Sequence, residues 1–305
     1  MVDSTIYSIA VCNYNMVDTL EGSVRSMVDQ VDPERYEVVV VDGGSTDGSQ
    51  DVLRDLENEY ENVRAVLDRT DEANYLGGDR NVSFEEARGE YVLESLDTDD
   101  RYFDGVIEDF VSIYHQLEPG VDGSFFLSGT GINMAPRQLL LDVPYYDLGG
   151  AEDRDFWRRL FARDALVWLD HGPVSEEIGY HMDFRDEIHR DVHGKICDFQ
   201  SGITLRSALS WSMSHERHFI LERDRGPMLN ALKKPYDVVS HLYAYLKARQ
   251  RDQHAAPRGF ESKGTLERRI AEERGTLPEL ADRFGVEINC SGLSENGRRA
   301  FCPDA

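Results

Sequence analysis

Apolar, β-branched runs alternate with helix-period stripes through the first half of the chain. Residues 5–12, "TIYSIAVC", read as a buried strand, and the following segment repeats Leu20, Val24, Met27 and Val28 at helical spacing. The run "YEVVVVD" (36–42) is unbroken, the pattern of a parallel strand covered on both faces. "GGSTDGSQDVLRDLENEY" then turns into a helix with Val52, Leu53, Leu56 and Tyr60 on its buried stripe, and "VRAVLD" (63–68) forms a third strand. A helix through Val82, Phe84 and Ala87 stops at Gly89, a suitable C-terminal breaker. "EYVLESL" (90–96) is a fourth strand, and Val106, Ile107, Phe110, Val111 and Tyr114 mark the next helix. Alternation of this kind predicts right-handed βαβ units: an α/β fold with a doubly wound, mostly parallel sheet flanked by helices.

The pattern changes near residue 195. Helical stretches at 203–221 and 236–250 lead through the loop "RDQHAAPRG" to another at 265–284, and the tail "NCSGLSENGRRAFCPDA" has no periodicity. The chain therefore divides into an α/β domain over 1–195 and a mainly helical C-terminal extension over 196–305 with a loosely ordered tail. Leu205, Leu209, Met213, Val238, Val239, Leu242 and Leu246 read as helix faces packed on the larger domain. The weaker alternative is that one such face touches a membrane.

Charge changes the picture more than composition does. Hydrophobic residues at 40% support a folded protein, but 58 Asp plus Glu stand against 33 Lys plus Arg, for a formal net charge of −25. Only Lys195, Lys233, Lys234, Lys247 and Lys263 are lysines. Such a surface repels itself in dilute buffer, whereas in molar salt the Debye length falls to roughly 3 Å. The acidity reads as adaptation to a high-salt cytoplasm. It argues against nucleic-acid partners, which need Lys and Arg on the phosphates, and the shortage of basic residues argues against strong attraction to anionic lipids. Cys12, Cys197, Cys290 and Cys302 form no C-x-x-C pair, and four cysteines make no disulfide scaffold in 305 residues; a reduced, intracellular setting follows. The N-terminus lacks the basic start and apolar core of a signal peptide, and no run approaches the ~20 apolar residues of a bilayer span. The expectation is a cytoplasmic protein with at most peripheral contact with the membrane.

In open α/β sheets, ligands bind beyond the carboxyl ends of the strands. Asn13, Tyr14 and Asn15 follow the first strand, Asp42 ends the second and Asp97 to Asp100 follow the fourth, so three polar clusters converge on one edge. "DTDDRYFDGVIE" is not a calcium loop: counting from Asp97, Arg101 and Tyr102 occupy positions five and six. No P-loop and no G-x-G-x-x-G is present, and "HERH" (215–218) lacks the spacing of a zinc helix and reads as a solvated helix surface. What remains is a D-x-D-D group at the end of an apolar strand, where Asp97 and Asp99 project in the same sense. Mg²⁺ and Mn²⁺ favour such a pair together with substrate phosphates.

Five stretches, "SIAVCNYN", "VVVVDGGSTDGS", "GGDRNVSFEEARGEYV", "LDTDDRY" and "GGAEDRDFWRRL", occur in this order over residues 5–185. The chain thereby resembles the family 2 glycosyltransferases of GT-A fold. That resemblance implies transfer of a sugar from a nucleoside-diphosphate sugar, most often UDP-linked, usually with inversion and with Mg²⁺ or Mn²⁺. It places Asp42 at the nucleotide base, although the following Gly43-Gly44 departs from the commoner acidic second position. Tyr14 and Asn15 lie along the nucleotide, and Arg80 and Asn81 near base and phosphates. Asp97 and Asp99 serve ribose and metal, Asp99 being the first choice for the metal, while Asp100 either assists or caps the next turn. The loop "GTGINMAPR" (129–137) lines the donor-sugar pocket. His181 stands where several relatives hold a histidine near the metal or diphosphate, though it reads equally as a strand-face residue.

Displacement at the anomeric carbon needs a base on the acceptor hydroxyl. By resemblance that base is Asp153, with Glu152 orienting acceptor or donor. Both also sit at a helix start, where the backbone favours acids anyway, ahead of a buried stripe of Phe156, Trp157, Leu160 and Phe161. The expected acceptor is a glycan, lipid-linked or on a surface protein as in N-glycosylation. Two rivals stand beside this reading. One is a non-catalytic nucleotide-sugar-binding protein, which the carboxylates at 97, 99 and 153 oppose. The other is a sugar-phosphate nucleotidyltransferase, whose basic, Gly-rich N-terminal loop is not seen.

Overall fold

The strands and helices of the computed structural model follow the alternation closely as far as residue 117. It describes residues 5–69, 71–179, 184–214 and 227–303. In chain order come β1 (Tyr7–Asn13), α1 (Val17–Val28), β2 (Tyr36–Asp42), α2 (Ser49–Glu59), β3 (Val63–Val66), α3 (Leu76–Glu86) and β4 (Tyr91–Glu94). They are followed by β5 (Asp100–Tyr102), α4 (Val106–Leu117), β6 (Phe126–Ser128), β7 (Asn133–Pro136) and α5 (Arg137–Asp142). Next are α6 (Glu152–Phe161), β8 (Leu166–Trp168), β9 (Ser175–Glu177), α7 (Phe184–Gln200) and α8 (Leu205–Ser214). The last helices are α9 (Pro227–Ala248), α10 (Lys263–Glu273), α11 (Leu277–Phe284) and α12 (Glu295–Phe301).

Two compact units result. The first comprises Met1–Pro144, Asp164–Tyr180 and Glu273–Ala305; the second, Tyr145–Arg163 and His181–Glu272. The boundary expected at 195/196 falls inside α7, a single helix, and the last 33 residues belong to the first unit rather than to an extension. The chain leaves the α/β unit and returns to it, a path that composition does not reveal.

Seven strands of the first unit form one sheet in the order β3-β2-β1-β4-β7-β6-β8. β1, β2, β3 and β4 are parallel, with Asn13 beside Asp42 at the carboxyl edge, and β7 runs antiparallel between β4 and β6. All seven residues of β2 are buried, as an apolar run in a sheet covered on both faces requires. The predicted stripe of α1 is buried, as are the apolar positions of α4. Gly89 fits where nothing larger does: a Cβ would stand 2.7 Å from Ser8 N and Tyr7 C of β1. β5 and β9 pair separately, Asp100 opposite Glu177.

The tail is ordered, contrary to expectation. Cys290 and Cys302 are joined in a disulfide across 12 residues, and Ala300 and Phe301 enter the main core at 2% and 1% exposure. Ser294 caps α12 by accepting from Gly297 N, and its own N–H and hydroxyl donate to Asp109 of α4. A short helix anchored by one aromatic and one covalent bond has too few apolar positions to show a period. The disulfide also opposes the reduced setting expected from scattered cysteines, since such bonds persist in oxidising surroundings.

The stretch at 265–284 is two helices, because Gly275 and Thr276 break it and Thr276 with Glu279 forms a capping box for α11. "HERH" and the end of the helix expected over 203–221 lie outside the described residues. Among the described residues, no helix is long and apolar enough to cross a membrane.

Candidate active site

The loops after β1 and β2 are laced together at the carboxyl edge of the sheet. Asn13 Nδ2 donates to Asp42 Oδ1 at 2.8 Å, Asn15 N donates to Ser45 Oγ at 2.8 Å, and Thr46 N donates back to Asn15 Oδ1 at 2.9 Å. Asn15 holds a left-handed backbone (φ 54°), which asparagine tolerates better than most residues. Asp42 is 1% exposed, and its oxygens also accept from Ser45 N, Ser45 Oγ and Gln50 Nε2. Burial alone would raise its pKa, but the bonds from Ser45, Gln50 and Asn13 prevail and hold it below the usual carboxylate range. Asp42 therefore organises both loops. Tyr14 stands 63% exposed beside this seam.

Arg80 lies in the first turns of α3, and its Nη1 donates to Glu94 Oε2 at 2.5 Å. Glu94 closes β4 fully buried, and its other oxygen accepts from Asn133 Nδ2 at 2.6 Å. Asn133 in turn accepts from Ser128 Oγ and from Gly129 N, at the head of the "GTGINMAPR" loop. Arg80 is thus tied into the sheet edge, while Asn81, the next residue of α3, is half-buried.

β4 ends at Glu94, and Ser95 turns left-handed (φ 63°), so Asp97 and Asp99 lie in the connection to β5. The period-two argument for their projection does not hold there. The hydroxyl of Tyr102, itself 2% exposed, accepts from Asp97 N at 2.9 Å and donates to Gly131 O at 3.3 Å. Ser23 Oγ donates to Asp97 O, and Ile178 N to Asp99 O. One tyrosine therefore joins the aspartate connection to the Gly129–Gly131 loop. Thr130 N of that loop donates to His171 Nε2 at 2.9 Å, while His171 Nδ1 donates to Gly172 O. Burial pushes the His171 pKa down, which keeps the ring neutral for this bridge.

Asp97 is an exposed residue, yet protein packed around its carboxyl pushes its pKa up to about 6, opposed by Arg80 and reinforced by Asp99, Asp100 and Glu94. Asp100 is raised too, by burial and then by Asp99. The connection is a place where negative charges accumulate faster than the protein neutralises them. Among the described residues, no three His, Cys, Asp or Glu side chains are gathered to hold a metal ion. His181 lies outside the described residues.

Glu152 and Asp153 belong to the second unit, where α6 begins as expected. Ala151 caps it in a left-handed conformation (φ 61°), Glu152 is 6% exposed, and Asp153 accepts from Arg154 N at 2.6 Å. The stripe behind them differs from expectation. Trp157 is only half-buried, while Asp155, Arg158 and Arg159 are buried. Arg159 Nε donates to Asp155 Oδ2 at 2.7 Å, and Arg158 Nη2 to Asp198 Oδ1 of α7 at 3.1 Å. Charges meet charges behind this helix, so hydrophobic periodicity alone could not assign its inner face.

Reading motifs missed the residues that hold the loops: Ser45, Gln50, Glu94, Asn133, Tyr102 and His171. Glu94 alone carried a signal, being an acid inside an apolar strand, which demands a buried partner. The family model for glycosyl transferase family 2 matches residues 8–172. Over 94 residues (30% of the chain, 14% of the relative) the sequence is 40% identical to poly(ribitol-phosphate) beta-glucosyltransferase of Bacillus spizizenii. Over 129 residues (42% and 47%) it is 33% identical to a putative teichuronic acid biosynthesis glycosyltransferase, TuaG, of Bacillus subtilis. Over 139 residues (45% and 40%) it is 29% identical to glycosyltransferase AglE of Haloferax volcanii. The chain spans less than half the length of each of these relatives. Among solved structures, S. aureus TarS 1–349 in complex with UDP-GlcNAc superimposes with a TM-score of 0.50 at 17% identity, over 81% of this chain and 92% of that one. Mycobacterium tuberculosis glucosyl-3-phosphoglycerate synthase with Mn²⁺, UDP-glucose and phosphoglyceric acid gives 0.50 at 17%, over 65% and 78%. The shared fold is the GT-A arrangement expected from the motifs. With a family match covering more than half of its 305 residues, the chain belongs to glycosyl transferase family 2.

Proposed function

We propose that the chain transfers a sugar, with inversion, from a UDP-linked nucleoside-diphosphate sugar to a glycan hydroxyl, in a reaction that depends on Mg²⁺ or Mn²⁺. The observation that carries this reading is the connection after β4. There Asp97, Asp99 and Asp100 lie within four positions of one another beyond the carboxyl edge of the sheet, and the carboxyls of Asp97 and Asp100 are both raised, by desolvation first and by the neighbouring acids after it. A site that disfavours its own negative charge suits a divalent cation. A cation that takes one or two carboxylates plus substrate phosphates needs no three-residue cage. Asp99 and Asp97 would hold the ion, which when bound offsets charge on the departing diphosphate.

In this reading Asn13, Tyr14 and Asn15 border the nucleotide, and Asp42 acts by holding their loop. Arg80 and Asn81 flank the diphosphate side, Arg80 also steadying Glu94. Asp153 takes the proton of the acceptor hydroxyl, and Glu152 orients one of the two sugars. The relatives support a glycan or polymer acceptor: their names refer to poly(ribitol-phosphate) and to teichuronic acid. A lipid-linked or surface-protein glycan as acceptor completes the proposal.

The reading is tested by screening nucleotide-sugars for metal-dependent thermal stabilisation in molar KCl; no stabilisation by any UDP-sugar sinks the donor assignment. Asp153→Asn should leave donor and Mn²⁺ binding intact while transfer falls by about 10²–10⁴-fold, the usual contribution of a positioned base. Unchanged turnover would remove Asp153 from the role. Asp99→Ala should weaken donor binding only when metal is present, by calorimetry; equal affinity with and without metal in the parent chain refutes the metal site.

A further inference from the structure

Within the second unit, α9 is turned the opposite way from the expected packing. Its inner face is polar or small: Asp237, Ser240, His241, Ala244 and Ala248 are buried. Its outer face carries Leu232, Val239, Leu242, Tyr243 and Leu246, exposed by 54, 63, 42, 50 and 62%. Leu232, Val239 and Leu246 recur every seven residues, so they lie in one line along the helix with Leu242 and Tyr243 beside them. Met213, near the end of α8, adds a further large side chain at 63% exposure. The inner face explains the inversion. Asp237 pairs with Lys195 of α7 at 2.8 Å, Lys195 Nζ donates to Ser240 Oγ, and His241 contacts Ser212 of α8. This polar network fastens α9 to its neighbours and leaves the apolar line with no place inside.

The charge on this helix also runs against the rest of the chain. Of five lysines in a sequence with 58 acids, Lys233, Lys234 and Lys247 lie on α9, and Arg249 and Arg251 follow directly. Residues 231–251 thus hold five cations and a single acid, Asp237, which is buried. Lys234, Lys247 and Arg249 are exposed, and Lys247 Nζ sits 5.7 Å from the Tyr243 ring centroid, at the margin of the apolar line.

We propose that this face of α9 docks on a lipid bilayer with anionic headgroups. The helix lies in the interface, with Leu232, Val239, Leu242, Tyr243 and Leu246 at the acyl boundary and Lys234, Lys247 and Arg249 against the headgroups. Charge complementarity selects lipid over a second copy of the chain. Two such helices face to face would oppose cation to cation, with no acid on the outer face of either to pair them. The net charge of −25 does not prevent adsorption, because charges farther than a Debye length of about 8 Å from the surface are screened and those nearest the bilayer dominate. The shortage of basic residues in the whole sequence hid a local excess.

The experiment is co-sedimentation of the full chain with phosphatidylcholine vesicles and with phosphatidylcholine–phosphatidylglycerol vesicles, at physiological ionic strength. The chain should sediment with the anionic vesicles and far less with the neutral ones. The double variant Val239→Asp, Leu246→Asp should reduce that binding by about tenfold or more, since two apolar anchors are lost. Lys247→Glu with Arg249→Glu should weaken binding to anionic vesicles by about thirtyfold or more and leave the neutral case unchanged. All four positions are exposed, so the thermal midpoints of both double variants should match the parent. Equal binding by parent and Val239→Asp, Leu246→Asp overturns the proposal, as does equal binding to both vesicle types. A lipid-free dimer that the same variant disperses also overturns it, assigning the face to a second copy.

Discussion

Asp198 on α7 is the best point at which to perturb the second unit. Its side chain is 3% exposed and serves three cations: Lys263 Nζ at 3.0 Å, Arg158 Nη2 at 3.1 Å and Arg154 Nη1 at 3.7 Å. Asp198→Asn keeps the shape and removes the charge. Arg158 (1% exposed) and Lys263 (7%) then remain buried without an anion, and breaking a buried pair from one side costs about 3–5 kcal/mol. Arg154, 37% exposed, adds little. At about 3 °C per kcal/mol for a chain of this class, the thermal midpoint should fall by roughly 10–15 °C.

The pH dependence gives a second readout. Burial alone would raise the Asp198 pKa, but Arg154, Lys263 and Arg158 hold it well below the ordinary carboxylate range. A depressed carboxylate contributes stability that is present above its unfolded pKa of about 4 and lost as pH falls below it. The parent should therefore lose stability on acidification below about pH 4, and Asp198→Asn should show a flatter acid limb. Lys263 is shifted the other way relative to need: burial lowers its pKa, Asp198 only partly restores it, and Arg154 lowers it again. Asp198 gains more from its partners than Lys263 gains from it, so Lys263→Met should cost much less than Asp198→Asn. Circular dichroism melts from pH 7 to pH 2 measure both. A midpoint change under about 2 °C for Asp198→Asn, or a larger loss for Lys263→Met, refutes the reasoning.

Two further outcomes are expected. Reduction with dithiothreitol, or Cys290→Ser, should lower stability by about 3 kcal/mol, the chain-entropy value for a loop of this length, and open the tail to proteolysis; an unchanged melt under reductant counts against a structural disulfide. Tyr102→Phe removes the hydroxyl that joins Asp97 N to Gly131 O. It should weaken metal-dependent donor binding by about tenfold, with a smaller effect on the melt, the cost of the part-buried Asp97 N–H and Gly131 carbonyl losing this partner. Unchanged affinity by calorimetry would show that the link does not position the aspartate connection.

Much of the first unit was legible because its rules are local. "YEVVVVD" is buried along its whole length since a parallel strand covered on both faces needs no polar side, and the stripes of α1 and α4 followed helical spacing directly. The carboxyl-edge rule placed Asn13, Asp42 and the aspartate connection on one side of the sheet before any coordinates. What the sequence could not show is which polar groups would find one another. Asp42 is engaged by Asn13, Ser45 and Gln50, and Arg80 by Glu94, through pairings set by the approach of separate loops.

Polarity misled most in the helical part. Arg158, Asp198, Lys263 and Asp237 are buried, while Val239, Leu242 and Leu246 face outward. A charge is buried at tolerable cost only when opposite charges from other helices meet it, and an apolar line stays outside when a polar network has claimed the inner face. Order in the tail likewise rests on a disulfide and on Phe301 entering a core built by residues nearly 200 positions earlier. Local pattern determined the strands, the helices and the edge where ligands gather. Long-range pairing decided the two units, the inner face of α9 and the partners of Asp42, Glu94 and Asp198, because those energies depend on what packs opposite and not on sequence neighbours.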